Sequence, residues 1–71
     1  MRESKYYSLN NGYGIVCTTV TNVFTNEKSY IVEVLLLTVP WQEVLFRKEG
    51  IRTPKEANDL FKQLVSKYKQ L

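Results

Sequence analysis

Histidine is absent from this chain of 71 residues, and cysteine occurs once, as Cys17. The first absence removes the commonest general base near neutral pH, so no Ser-His-Asp or Cys-His arrangement can be assembled within the chain. It also removes the mixed Cys/His zinc sets. The lone cysteine rules out an intrachain disulfide. Glycine occurs only three times, and Gly12-Tyr13-Gly14 lacks the downstream glycine and the strand-loop-helix context of a phosphate loop. The longest apolar run, Val34-Leu35-Leu36-Leu37, is far too short to span a bilayer. Met1-Arg2-Glu3-Ser4-Lys5 is polar, and no apolar region follows it as in a secretion signal. A single thiol without such a signal suits a reducing cytosol, so a cytoplasmic protein is expected. The carboxylates Glu27, Glu33, Glu43, Glu49, Glu56 and Asp59 show no calcium-loop spacing. The expectation is therefore a protein that is not an enzyme and holds no metal or cofactor.

What is present describes one folded domain spanning residues 1–71. The hydrophobic fraction of 44% and the charged fraction of 24% are those of a globular chain rather than a disordered one. So short a chain buries a modest share of its surface, and with no disulfide it needs tight packing, self-association or a partner. The net charge of +3 is uneven. Residues 1–46 are slightly acidic, and the positive charge sits in residues 47–71. Such a bias can favour acidic partners or can be an ordinary helix surface.

Strand signals fill the first two thirds. Residues 5–9 and 13–24 read as the arms of a hairpin around Asn10-Asn11-Gly12, whose Asn-Gly pair accepts positive φ. The second arm is β-branched almost throughout, and Thr25-Asn26-Glu27-Lys28 follows as a polar turn. Residues 29–39 form the strongest strand. Tyr30, Val32, Val34, Leu36 and Thr38 lie on one face and Ile31, Glu33, Leu35, Leu37 and Val39 on the other. Both faces are apolar apart from Glu33, which asks for cover on both sides. Pro40 interrupts the ladder. Residues 41–48 read better as a last strand than as a helix ending at Gly50.

The helix at the end of the chain is the clearest element. Thr53 is an N-cap, Pro54 takes the first helical position and Glu56 completes a Thr-x-x-Glu capping box. Ala57, Leu60, Phe61, Leu64, Val65, Tyr68 and Leu71 then recur at three- and four-residue steps and draw one apolar stripe. The predicted fold is α+β: an antiparallel meander of three or four strands with one C-terminal amphipathic helix packed on one face.

Three features bear on function. One helix can cover one face of a small sheet, so the other is free for self-association or a partner. Tyr30, Val32, Val34, Leu36 and Trp41 are the candidate interface, and a homodimer is the first expected partnership, with another protein the second. Lys55, Lys62 and Lys69 stand seven residues apart along the helix, a row about 21 Å long that Arg47, Lys48 and Arg52 could extend. Phosphates of a nucleic acid could meet that row, although Lys55, Asp59 and Lys62 also suit a solvated, ion-paired surface. Tyr6, Tyr7, Tyr13 and Tyr30 could stack bases on an open sheet, or pack, or serve an interface. Cys17, mid-strand between Val16 and Thr18, reads as a small buried hydrophobe, and Glu33 and Glu43 could face each other across neighbouring strands.

Glu43-Val44-Leu45-Phe46, followed by Thr53-Pro54-Lys55-Glu56-Ala57 and a helix closing on Phe61, resembles the layout of small phage- or virus-encoded sheet-plus-one-helix proteins. The likeness covers roughly thirty residues of generic strand and cap signals. It implies an accessory protein that acts by binding, such as by blocking a host factor, and it carries over no functional residue.

Overall fold

The computed structural model describes residues 1–38 and 41–70. Four strands and one helix follow one another: β1 (Arg2–Ser8), β2 (Tyr13–Thr21), β3 (Lys28–Thr38), β4 (Trp41–Ile51) and α1 (Pro54–Lys69). The strands form one antiparallel sheet in the order β1-β2-β3-β4, a meander in which each strand pairs with its sequence neighbour. This is the predicted α+β arrangement, with four strands and with residues 41–48 in a strand. The expected end of the third strand at Val39, the break at Pro40 and the last stripe residue Leu71 lie outside the described residues.

α1 forms as its signals dictate. The Thr53 hydroxyl accepts from the Glu56 amide at 3.2 Å, and Pro54 begins the helix. The apolar stripe packs over β2 and β3 and touches β4. It reaches β1 through one ring contact, Tyr7 edge-on to Phe61 at 5.9 Å. Ile15, Val32, Val34, Ile51, Ala57 and Leu64 make the centre of the core, flanked by Tyr13, Cys17, Tyr30 and Phe46 from the sheet. The register explains the grouping. Ile15 pairs with Val34 and Cys17 with Val32, and Val34 pairs with Phe46, so cross-strand partners share the helix-facing side.

At the far end, the Asn11 side-chain amide donates to the Tyr68 carbonyl at 2.7 Å, and Tyr13 packs on Tyr68 with ring centroids 5.2 Å apart. These contacts tie the first hairpin loop to the last helical turn. Gly12 in that loop has φ +90°, which the Asn-Gly pair allows.

Several boundaries depart from expectation: β3 begins at Lys28, inside the expected turn, and β4 runs on to Ile51, past Lys48. β2 ends at Thr21, and Val23 and Phe24 are not strand residues. The Asn22 side chain accepts from the Phe24 amide at 2.9 Å, the Asn22 carbonyl accepts from the Asn26 amide at 2.8 Å, and Asn26 takes φ +60°. Asn22 thus satisfies the amides locally and turns the chain before the β-branched run is exhausted. Phe24 is left 94% exposed at the tip. At the other end, β1 begins at Arg2 rather than Lys5.

Candidate functional site

The helix leaves three surfaces uncovered: the opposite sheet face, the groove between α1 and β1, and the outer edge of β4. Of the residues expected at an interface, Val32 and Val34 are fully buried beneath α1, each 0% exposed. Tyr30 packs against the same core. Leu36 shares their side, opposite Tyr13 on β2 and Glu43 on β4. By register all five lie on the helix side, Trp41 through its pairing with Thr38, because the helix stripe selected the uncharged face of β3. Of the five, Trp41 is the one largely exposed, at 73%.

The unroofed face carries Val16, Ile31, Leu35, Leu37 and Val44, interrupted by polar pairs. The Ser4 and Thr18 hydroxyls hydrogen-bond at 2.9 Å. Arg47 pairs with Glu33 at 3.5 Å and with Glu49. The hydrogen bond that Arg47 donates to Glu49, with the charges of Glu49 and Glu33, pushes the Arg47 pKa up. Glu33 is therefore neutralised by Arg47 across the strand, while Glu43 lies opposite Leu36 on the other face. The expected Glu33–Glu43 acid pair does not form. Tyr6 lies across Gly14, where any Cβ would collide with its ring.

β4 is an edge strand with two irregularities. Val34 pairs with Phe46 and Leu35 with Val44, so Leu45 is an extra residue. A second shift between Tyr30 and Val32 coincides with Gly50 at φ +71°. Along β4 and the adjoining end of β3, Leu37, Trp41, Val44 and Leu45 are all exposed. Leu37 and Val44 lie on the open face, while Trp41, paired with Thr38, lies by register on the helix side, so exposed apolar side chains flank both faces at this end of the sheet. The register of β4 was not legible in the sequence, although Gly50 was a faint sign of the second bulge.

The groove between β1 and α1 encloses about 600 Å³ and includes Lys5, Cys17, Tyr30, Ala57, Asn58 and Phe61 in its lining. Burial pushes the Cys17 thiol above its ordinary range, and Lys5 pulls partly back. A thiol so shifted is a poor nucleophile near neutral pH. Lys55, Lys62 and Lys69 are exposed on the crest of α1. Arg47 points from the opposite sheet face and is engaged there with Glu33 and Glu49, so it does not extend the lysine row. Lys48 lies on the helix side beside Glu56 and Asp59, and Arg52 is exposed just before the helix.

No helix among the described residues is long and apolar enough to cross a membrane. Compared with family models, curated proteins and solved structures, the chain matches none.

Proposed function

We propose that this protein is a small, non-enzymatic protein-interaction module that works by self-association. The observation that carries the reading is the exposed apolar side chains at the β3–β4 end of the sheet, with Val44 52% exposed on the open face and Trp41 73% exposed on the other. Tryptophan supplies a large contact area at low entropic cost and is enriched where interfaces concentrate their energy. The absence of histidine and the raised Cys17 thiol support binding rather than catalysis. A lone half-buried thiol also fits a reducing, cytoplasmic setting. An accessory role of the kind implied by the likeness to phage- or virus-type domains fits a chain that offers surface rather than chemistry. Sedimentation velocity over a hundredfold range of concentration tests the reading. A mass of twice 8.3 kDa at micromolar concentration supports it, and a monomer throughout rejects it.

The crest of α1 favours one second reading, nucleic-acid binding. Lys55, Lys62 and Lys69 are all exposed, and Lys62 and Lys69 flank the groove beside Tyr7. A basic row next to a tyrosine suits a single strand. A gel shift at two salt concentrations tests it: binding at low salt that is lost on Lys55→Ala, Lys62→Ala and Lys69→Ala together favours it.

A further inference from the structure

Self-association about a twofold axis requires a surface complementary to itself. The outer edge of β4 has this property because of its bulge. Phe46 belongs to the core beneath α1, and Lys48 lies beside Leu60 of the helix, so both face the helix side. Glu43 pairs with Leu36 and so faces the same side. Val44 pairs with Leu35 and Arg47 with Glu33, which places both on the opposite face. The extra residue at Leu45 puts residues 41–44 out of step with 46–48. Residues 43 and 48 consequently share a face, as do 44 and 47, which an uninterrupted strand would forbid.

We propose that two copies of the chain pair antiparallel through β4, with the dyad between Leu45 and Phe46. This rests on the self-association reading and names its surface. In that register Glu43 faces the partner's Lys48, and Lys48 faces the partner's Glu43, two opposite-charge pairs on the helix side. Val44 lies against the aliphatic stem of the partner's Arg47, and Leu45 flanks the dyad. Trp41 falls opposite the partner's Gly50. Apart from its chain neighbours, no heavy atom of the described residues lies within 4 Å of where a Gly50 Cβ would stand, so an indole has room there. The fold already uses an aromatic ring to cover a strand glycine, with Tyr6 over Gly14.

The other edge offers a shorter ladder: β1 has seven residues against the eleven of β4. The helices also leave room. α1 sits mainly over β2 and β3. The two β3 strands would be separated by three strand spacings, about 14 Å, beyond the 8–10 Å of packed helices.

The test is sedimentation of the full chain with Glu43→Lys, Lys48→Glu and both together, with circular dichroism confirming that each variant folds. Both residues are exposed. Each single reversal creates two like-charged pairs and is expected to weaken the dimer about tenfold. The double reversal restores opposite charges and is expected to return the dimer to near wild-type strength. A wild-type dimer indifferent to the single changes overturns the β4 pairing and leaves self-association standing. Weakening without rescue overturns the 43–48 register. A wild-type protein monomeric at hundreds of micromolar overturns both, and another protein is then the occupant of the β3–β4 end of the sheet.

Discussion

Val34 and Leu35 are neighbours on β3 with nearly the same chemistry and opposite fates. Val34 is sealed between the sheet and α1, while Leu35 lies on the face that no helix covers. The roofed side is stabilised chiefly by burial, with Ile15, Val32 and Val34 completely enclosed. The unroofed side is dressed by its own side chains: a hydroxyl pair at Ser4 and Thr18, a charge cluster at Arg47, and a tyrosine ring over a glycine. Ile31 and Thr18 are buried there without any second layer. A chain of this length has material to cover one face, and cross-strand pairs make the other compatible with water. What they leave exposed concentrates on the β3–β4 hairpin.

The contrast can be broken most severely from the roofed side. Ile15→Ala removes three carbons from a fully enclosed site and is expected to cost about 2–5 kcal/mol. For a domain this small, that is a large part of the total stability. A urea midpoint close to wild type would mean that the helix side is not the core. Val34→Ala should act in the same direction, less severely.

Next comes the helix that makes the roof. Thr53→Ala removes the acceptor for the Glu56 amide and is expected to cost about 1 kcal/mol. Thr53→Ser should keep most of the stability, because serine supplies the same hydroxyl acceptor. Thermal unfolding of both variants checks this.

Changes on the unroofed side and at the exposed tips should be milder. Val44→Ser and Phe24→Ser are each expected to shift stability by about 0.5 kcal/mol or less, as surface substitutions do. Val44→Ser should weaken self-association and Phe24→Ser should not, since Val44 lies on the β4 edge and Phe24 at the β2–β3 turn. Equal effects of the two on sedimentation would dissolve the distinction between the β4 edge and an ordinary exposed ring.

The smallest effect belongs to Cys17, on the roofed side at the floor of the groove. Burial raises its pKa above the ordinary thiol range, so the folded state favours the neutral thiol. That preference contributes stability below the unfolded-state pKa and is lost as pH rises through the raised folded value. Thiol labelling in the native protein should therefore gain rate at a higher pH than in urea. Coincident profiles would show Cys17 to be solvated.

The overall architecture was legible because its signals are local. The Thr53 cap and the three-and-four spacing from Ala57 define α1, and alternation defines the strands. The assignment of faces was not, since it depends on which side of β3 the helix meets, a long-range matter. Glu33 was the available cue: one acid among apolar residues marks the side that stays open, and its Arg47 partner comes from a different strand. The end of β2 was misjudged because β-branched residues outweighed Asn22, whose side chain turns the chain two residues before Phe24. The bulge at Leu45, which decides what the β4 edge can match, has no counterpart in composition or periodicity. It shows only in the register of β4 against β3.

The meander topology has a kinetic consequence. Every ladder joins consecutive strands, so each hairpin can zip without waiting for a distant segment, and loop-closure entropy is spent in small steps. α1 is different: its stripe has nothing to settle on until the central strands are side by side. The expected sequence of events is sheet first and helix docking last. Until that final step, the future interior of the protein faces solvent.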